Sequence, residues 1–433
     1  MLRRRWLGMV SAVAVAVVIA ASTADAQQCP KGRLRVYTSW PMQGATIREA
    51  TGMKNGVDMA VAEAGGAVAG YCLEVVNLDN ALQQTGRWDI RGDSAVEAEN
   101  ANKAVADPQA IVYIGPYNSG TAKTSIPITN RAYMAQITPS ATYPGLTRRA
   151  VGTTPGEPWI YRPLALVNFF RLVIAADVQG EAAAKWAKRL GVQKAFVLHD
   201  EQLYGKGIAE AFEATAKKIG LAIMASEGID WKRPDQEPVL TKIRASGADL
   251  VYMGGVVDTG AQVIIRQMQE VGLVAPRVRF MGPGRLLKEE LLKGATCDAA
   301  MATDMRLAWA GLPFEKMKGI GAKTYEDYKK KFGKEPTPYA LYAVEAGRVA
   351  IDGIRRAADE IDRAKDITGK REAVRKAIAT TKAFHGHIGK WSFDRSGDID
   401  YDDDRLDVTV SGFKVVKADG PVGCKFEFET TLE

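Results

Sequence analysis

The stretch from Ile111 to Thr147 constrains the fold most, because it places two apolar runs on either side of a short helix. Ile111–Ile114 reads as a buried β-strand, and Tyr133–Thr138 reads as a second one. Two such strands joined through a helix form a βαβ unit, in which the strands are parallel and adjacent. The chain is therefore predicted to contain a parallel, doubly wound α/β sheet.

Small polar residues follow both strands of this unit. They are Asn118–Thr121 after the first strand and Ser140–Thr142 after the second. The carboxyl ends of parallel strands lie at one edge of a sheet, so the two loops are expected to converge. Their hydroxyl and N–H groups, with a helix amino terminus between them, favour an anion. We interpret them as a cradle for a small carboxylate, and ordinary capping and turn residues are the alternative.

The first residues, Met1–Ala26, have the pattern of a cleaved signal peptide: three arginines, an apolar run over Val10–Ala21 and a small-x-small cleavage site. The apolar run is short for a membrane span. Lipoprotein processing requires a small residue before Cys29, where Gln28 stands. We therefore expect a soluble protein exported to the periplasm, with a tethered form as the minor alternative.

The charge pattern disfavours nucleic acid as a partner. Cleavage of the leader removes three arginines and one aspartate, which lowers the formal net charge from +7 to +5. Acidic and basic residues are interspersed, and the sequence contains no arginine-rich arm or zinc-finger spacing.

Four cysteines in an exported chain predict two disulfides, with three possible pairings. Cys29 precedes the first predicted strand and Cys72 opens the second. Adjacent parallel strands start side by side, which favours Cys29–Cys72 and leaves Cys297–Cys424. A four-thiolate metal site is the alternative, but no CxxC spacing supports it.

The remaining pattern predicts a second α/β unit. About four hundred mature residues suggest two domains. The irregular segment Thr147–Pro163 is followed by a second alternation of helices and strands from Gln179 to Met281. Three amphipathic helices and terminal strands follow. We therefore predict two doubly wound α/β lobes.

At this level of detail the sequence resembles the branched-chain amino acid (Leu/Ile/Val-type) ABC transporter substrate-binding proteins, which have the type I periplasmic binding fold. Individually the motifs are short, but their order behind a signal peptide is specific. The motifs are PMQG at Pro41–Gly44, IGPYNSGTA at Ile114–Ala122, ITPSATYPGLT at Ile137–Thr147, HDEQLYGKGIAEAF at His199–Phe212, GADLVYMGG at Gly247–Gly255, FMGPG at Phe280–Gly284 and WSFDRSGD at Trp391–Asp398.

The resemblance implies two lobes joined by three crossover segments, with a ligand cleft between them. The crossovers are expected near Ile174, Met305 and Asp407. Lobe 1 is then residues 27–174 plus 306–406, and lobe 2 is residues 175–305 plus 407–433.

The resemblance also implies which residues contact the ligand. Ser119, Ser140 and Thr142 match positions that hold the carboxylate and ammonium of an amino acid, and Tyr204 supplies an aromatic contact from the other lobe. The full set of expected ligand-binding residues is Trp40, Tyr117, Asn118, Ser119, Ser140, Ala141, Thr142, Tyr204, Val256, Asp258 and Gly284.

Two positions differ from the family pattern. Val256 stands where family members that bind branched-chain amino acids carry an aromatic residue, and Gly284 stands in place of an ammonium-binding glutamate. A buried ammonium without a carboxylate or strong acceptors costs several kcal/mol. Either Asp258, Asp200 or Glu201 replaces the glutamate, or the ligand has no α-ammonium.

The second option points to an aromatic or aliphatic carboxylate, which residues near the predicted cleft could contact. Trp40 and Tyr117 stand at strand ends and could stack on an aromatic or aliphatic acid, with core packing as the alternative. Arg48 and Arg285 could pair with a carboxylate, although isolated arginines are more often solvated.

Known metal and catalytic patterns are weak. His385 and His387 lack further ligands at metal spacing, and the Asp394–Asp400 segment resembles a polar hairpin turn more than a calcium loop. The chain has no GxSxG or HExxH motif, so no enzyme activity and no cofactor are expected.

The expected function is ligand capture by a monomer that delivers a small carboxylate to the membrane permease of an ABC importer. The alternatives are a ligand sensor that signals to a receptor kinase or chemoreceptor, and a binder of carboxylates that lack an α-ammonium.

Overall fold

The alternating strands and helices form two separate, mostly parallel β-sheets with helices packed against them. This computed structural model describes residues 29–81, 90–387, 389–401 and 410–432. The signal peptide predicted over residues 1–26 lies outside these ranges. Of the helices described, none combines the length and apolarity needed to cross a membrane. The predicted α/β class is confirmed.

The first sheet has the spatial order β2-β3-β1-β4-β5-β6. Its strands are β1 (Arg33–Trp40), β2 (Ala67–Val68), β3 (Tyr71–Asp79), β4 (Ala110–Ile114), β5 (Ala135–Thr138) and β6 (Phe169–Arg171). The second sheet has the order β16-β15-β11-β10-β9-β7-β8, and a small third sheet has the order β12-β13-β14. These strands are β7 (Lys194–His199), β8 (Ala222–Gly228), β9 (Leu250–Gly254), β10 (Arg279–Pro283), β11 (Arg306–Ala310), β12 (Phe384–Gly386), β13 (Gly389–Phe393), β14 (Ile399–Tyr401), β15 (Val410–Lys417) and β16 (Cys424–Leu432).

Helices follow most of the parallel strands. In chain order they are α1 (Ile47–Glu63), α2 (Ile90–Ala106), α3 (Ser119–Arg131), α4 (Ala176–Arg189), α5 (Leu203–Lys218), α6 (Glu237–Ser246), α7 (Gln262–Glu270), α8 (Thr296–Ala302), α9 (Gly319–Phe332), α10 (Ala340–Arg356), α11 (Ala358–Arg363) and α12 (Ile367–Ala379).

The βαβ unit predicted around Ile111 is confirmed, because β4 and β5 pair in parallel with α3 between them. The second strand begins at Ala135 and not at Tyr133. Tyr133 has a φ of 55°, in the left-handed region, where a non-glycine residue cannot continue an extended strand.

Two glycines allow α1 and α10 to pack closely. A Cβ atom on Gly56 would lie 2.4 Å from the carbonyl oxygen of Ala340, and one on Gly347 would lie 2.6 Å from the Cβ of Ala60. This contact places the middle of α1 against the start of α10, and in the first turn of α1 Glu49 accepts a hydrogen bond from the Tyr339 N–H. It therefore fixes the position of residues that border the candidate site.

Sheet membership corrects one predicted lobe boundary. The crossover expected near Met305 is wrong, because the following strand, β11, pairs with β10 and β15 in the second sheet. The chain leaves that sheet after Ala310. The crossover predicted near Asp407 falls on residues that are not described. Below, lobe 1 means the first sheet with its helices, and lobe 2 means the second sheet with its helices.

Both predicted disulfides are confirmed. Cys29–Cys72 joins the segment before β1 to β3, with a Cα–Cα distance of 5.2 Å. Cys297–Cys424 joins α8 to the start of β16, with a Cα–Cα distance of 5.9 Å. Each bridge lies within one lobe, so neither one opposes a movement of the lobes relative to each other.

The two bridges provide a matched test of chain-entropy stabilisation. The bridged cysteines are 43 residues apart in lobe 1 and 127 residues apart in lobe 2. Each paired Cys→Ser replacement is expected to lower the free energy of unfolding by roughly 2–5 kcal/mol, with about 1 kcal/mol more lost for Cys297–Cys424 because its loop is longer. Urea unfolding followed by circular dichroism measures both losses. An equal or smaller loss for Cys297–Cys424 contradicts the prediction.

Candidate functional site

The two loops predicted to converge do lie together at the carboxyl ends of β4 and β5. The Ser140 hydroxyl donates to the Tyr117 carbonyl oxygen at 3.2 Å. The backbone N–H of Tyr143 donates to the Ser119 hydroxyl at 3.2 Å. These bonds fix the loops to each other. They also engage the Ser119 hydroxyl, which was expected to bind the ligand, whereas Ser140 was expected to bind it through its backbone.

The backbone amides of the second loop are also engaged. The N–H groups of Ser140 and Ala141 both donate to the Thr138 hydroxyl, at 3.2 and 2.9 Å. By contrast, the Thr142 hydroxyl is buried and has no hydrogen-bond partner in the described part of the chain. Thr142 is therefore a buried side chain of the predicted cradle that can still bind, and the Ser119 hydroxyl, which accepts from Tyr143, can still donate its own hydrogen.

An arginine from lobe 2 reaches across to both loops. Arg285 lies in a short turn, Gly284–Leu286, directly after β10, and its side chain is 2% exposed. One terminal nitrogen donates to the carbonyl oxygens of Tyr117 and Ser140, at 2.9 and 2.7 Å. The other donates to the Asn118 side-chain oxygen at 3.1 Å. Sequence analysis considered this arginine but did not place it among the site residues.

Three tyrosine rings surround the Arg285 guanidinium. Its central carbon lies 4.3 Å from the ring centre of Tyr117, 4.7 Å from that of Tyr204 and 5.7 Å from that of Tyr339. Rings at these distances stabilise a cation through their electron-rich faces. Tyr339 stands at the start of α10, far along the chain from the predicted motifs, so no local pattern identified it.

Gly284 is tightly packed, which explains its departure from the family pattern. A Cβ atom at this position would lie 2.7 Å from Cε3 and 2.8 Å from Cα of Trp309. A glutamate at this position would require the backbone of β11 to move. The side chain that enters the cleft from this turn is therefore that of Arg285.

Acidic residues of lobe 2 lie around the same cleft. Asp200 is 1% exposed and accepts hydrogen bonds from the Thr259 hydroxyl at 2.6 Å and the Gln202 N–H at 3.0 Å. Burial raises the pKa of Asp200 to about 6, although these donors favour its charged form. One carboxylate oxygen of Asp258 is buried without a hydrogen-bond partner among the described residues. Val256, half-buried, packs beside Tyr204.

Two further predicted residues have other surroundings. Trp40 is fully buried in the lobe 1 core, where its ring packs against Gly115. Its indole N–H has no hydrogen-bond partner in the described ranges. Arg48 is half-exposed and pairs with Glu289 of lobe 2 at 2.7 Å. Arg48 therefore joins the two lobes at the surface.

Glu49 is a site-bordering residue that the sequence analysis missed. Its carboxylate accepts a hydrogen bond from the Tyr339 N–H at 2.9 Å, and burial raises its pKa. Lys288 of lobe 2 is close enough for its charge to act on both Glu49 and Asp258. The close packing of α1 and α10 creates this neighbourhood, and no sequence spacing indicates it.

A space of about 150 Å³ between the lobes is bordered by Glu49 and Lys288. A smaller one, of about 40 Å³, borders Arg285. It lies where the loop after β4 meets the loops of lobe 2. The lining residues are Asn118, Ser119, Gly120, Thr121, Asp200, Gln202, Leu203, Tyr204, Val256, Thr259 and Arg285. A ligand at this position therefore requires that the lobes separate slightly or that the Arg285 side chain shifts.

A larger cavity of about 940 Å³ lies elsewhere, lined by Tyr143, residues 151–155 and the exposed side of α5. Its lining includes surface charges such as Lys206 and Glu210. None of the buried polar side-chain atoms that lack a partner in the described chain belongs to this lining. The smaller space beside Arg285 is therefore the better candidate for a specific binding site.

The metal patterns considered in the sequence have structural explanations. His387 lies 3.2 Å from the buried carboxylate of Glu345. Asp394 accepts backbone N–H groups within the turn between β13 and β14, as expected for a polar hairpin turn. Over the described ranges, no group of three or more potential ligand side chains could hold a metal ion.

Sequence comparison identifies relatives over most of the chain. The family described as periplasmic binding protein matches residues 38–400. The leucine-, isoleucine-, valine-, threonine-, and alanine-binding protein of Pseudomonas aeruginosa is 28% identical over 370 residues, covering 84% of this chain and 87% of that protein. An amino acid binding protein of the same organism is 32% identical over 207 residues, and there the match spans 47% of this chain and only 50% of the relative.

Solved structures share the fold. The leucine binding protein LivK of Thermotoga maritima has a TM-score of 0.72 at 21% identity and covers 92% of this chain and 98% of that one. A solute binding protein of Rhodopseudomonas palustris HaA2, in complex with p-hydroxybenzoic acid, has a TM-score of 0.70 at 19% identity and covers 93% and 96%. The fold predicted from the sequence is confirmed.

The buried position of Asp200 predicts a pH-dependent contribution to stability. Its pKa in the folded protein, about 6, lies above the ordinary value of 3.8. This contribution is therefore fully present below about pH 4 and is lost as the pH rises through about 6. Asp200→Asn removes it, so the stability of the variant relative to the parent protein should increase by about 2–3 kcal/mol between about pH 4 and about pH 7.

Urea unfolding across this pH range measures the difference. Asp419→Asn, which removes an exposed carboxylate from the same lobe, is the matched control. A stability difference for Asp200→Asn that stays constant with pH contradicts the prediction.

Proposed function

Because the chain belongs to the periplasmic binding protein family, we propose that it is the extracytoplasmic solute-binding component of an ABC importer. In this proposal it captures an amino acid or a related small carboxylate by lobe closure and delivers the ligand to a membrane permease. The family consists of solute-binding proteins, which supports a binding role and not an enzymatic one.

One observation carries the proposal: both lobes contribute buried polar atoms without partners, among the described residues, in the segments that follow the carboxyl ends of their strands. The Thr142 hydroxyl and the Tyr117 hydroxyl come from lobe 1, and the Asp258 carboxylate oxygen and the Arg285 Nε come from lobe 2. Buried polar groups are nearly always hydrogen-bonded, so a group of exceptions in one place indicates a binding site. The carboxyl ends of parallel strands, where these residues lie, are the usual ligand position in such sheets.

Contacts between the lobes support capture by closure. Thr142 accepts a hydrogen bond through its carbonyl oxygen from the N–H of Ala176, at the start of α4, at 2.8 Å. At the surface Arg148 forms a two-pronged ion pair with Asp177, at 2.8 and 2.9 Å. A ligand that contacts both lobes favours the closed arrangement in proportion to its difference in affinity for the two states. The closed arrangement is then the form that a permease recognises.

The relatives support the ligand class. The Pseudomonas aeruginosa relative is named for five amino acids, and the Rhodopseudomonas palustris structure holds an aromatic acid. A carboxylate is common to both kinds of molecule. The two disulfides support an extracytoplasmic location, because such bonds persist in oxidising compartments.

Truncation of Thr142 tests the proposal. Thr142→Ala removes a buried hydroxyl without an internal partner, so the unliganded protein should keep its melting temperature while ligand affinity falls roughly tenfold or more. Thermal shift with leucine, valine, benzoate and 4-hydroxybenzoate identifies which of these carboxylates binds the parent protein. Titration calorimetry with that carboxylate then measures the affinity of the parent and of the variant.

Thr303→Ala is the matched control. Thr303 is a buried threonine of lobe 2 whose hydroxyl donates to the Ala299 carbonyl oxygen at 2.8 Å. This variant should lower the melting temperature of the unliganded protein and leave ligand affinity unchanged. If no carboxylate raises the melting temperature of the parent protein, the proposed capture of a carboxylate is wrong.

A further inference from the structure

Three oxygen acceptors converge on one point in lobe 1. They are the carbonyl oxygens of Tyr117 and Ser140 and the side-chain oxygen of Asn118, and all three accept hydrogen bonds from Arg285. Carbonyl oxygens can only accept, so a cluster of them at a buried site requires donors, and a cation with several N–H groups can supply them from one side chain. In this chain the donor is a guanidinium supplied by the other lobe.

We propose that Arg285 determines ligand specificity: it occupies the acceptors that an ammonium group would use and offers its own charge to the ligand, so the site takes carboxylates that lack an α-ammonium. This inference rests on the proposed function, because it assumes that the ligand binds between the lobes. It narrows the ligand class from amino acids and related carboxylates to carboxylates that lack an α-ammonium.

The charge of Arg285 is buried, and Glu49, whose charge acts on it from a distance, forms no ion pair with it in the described chain. Within the described ranges its side chain forms no ion pair, and its Nε has no hydrogen-bond partner. The three tyrosine rings and three neutral oxygens stabilise the guanidinium but do not neutralise it. A desolvated cation is costly unless an anion pairs with it, so this position favours a carboxylate and disfavours a second cation.

The acidic groups nearby are already engaged. Both carboxylate oxygens of Asp200 accept hydrogen bonds from lobe 2, and Glu49 accepts one from Tyr339. Asp258 has an unpartnered oxygen, but the charge of Lys288 acts on it. An ammonium entering this cleft would therefore share with Lys288 the Asp258 oxygen that lacks a partner in the described chain, and it would be repelled by Arg285.

The surrounding packing fixes this arrangement. Position 284 cannot carry a side chain without displacing the backbone at Trp309, so an acidic residue is sterically excluded there. The turn presents Arg285 as the next residue, with its guanidinium between Tyr117 and Tyr204. This turn therefore offers the ligand the Arg285 guanidinium, which can donate to a carboxylate, in place of a glutamate, which would accept from an ammonium.

Matched pairs of probes test the inference on the full mature protein. The pairs are leucine with 4-methylpentanoate, valine with 3-methylbutanoate, and phenylalanine with 3-phenylpropanoate, which differ within each pair only by the ammonium group. In titration calorimetry, the acid should bind at least roughly tenfold more tightly than its amino acid in every pair that binds. An amino acid that binds more tightly than its matched acid overturns the inference and leaves the proposed function intact. Absence of binding by these six probes and by benzoate and 4-hydroxybenzoate overturns both.

Variants of Arg285 separate charge from folding. Arg285→Gln should lower acid affinity roughly tenfold or more and reduce the preference for acid over amino acid, whereas Arg285→Lys should retain that preference. Arg266→Gln, at an exposed position on α7, is the matched control and should change neither quantity. Thermal unfolding of each unliganded variant checks the fold. An unchanged acid preference in a folded Arg285→Gln variant contradicts the proposed role.

Discussion

The contact of the Arg285 guanidinium with the loop carbonyls of lobe 1 is the interaction on which the site depends. Loops that leave the carboxyl ends of β4 and β5 expose carbonyl oxygens that no strand partner satisfies. In lobe 1 the hydroxyls of Thr138 and Ser140 engage part of each loop, and Arg285 engages the Tyr117 and Ser140 oxygens from the other lobe. The site therefore exists only where the two lobes meet.

Much of the fold could be predicted because it follows from local patterns. Short apolar strands alternating with amphipathic helices indicate a parallel sheet, and the cysteines that begin adjacent strands indicate their own pairing. The predicted crossover near Met305 was wrong for a physical reason. The apolar run of β11 is compatible with either sheet, and its membership is decided by pairing with β10 and β15, which local sequence does not encode.

The candidate site was less predictable, because its chemistry depends on long-range packing. Sequence spacing brought Ser119, Ser140 and Thr142 together correctly, but it could not show that the Ser119 hydroxyl already accepts a bond from Tyr143. The missed residues Tyr339 and Glu49 meet through the crossing of α1 and α10, which are separated by most of the chain. The binding groups that remain available are those left over after this packing.

Among the groups that remain available, the Arg285 guanidinium affects both lobe closure and ligand specificity. When the lobes meet, Arg285 gains three acceptors but loses water from a charge that forms no ion pair with any carboxylate of the described residues. The first effect favours closure and the second opposes it, so closure without an anion is only partly favourable. An anion adjacent to the guanidinium offsets the cost of removing water from its charge. A zwitterion offsets less of this cost, because it also places an ammonium next to the same charge. Under the proposed specificity, the charge that joins the lobes also selects what they close on, because a ligand shifts the lobe equilibrium only through its difference in affinity for the closed state.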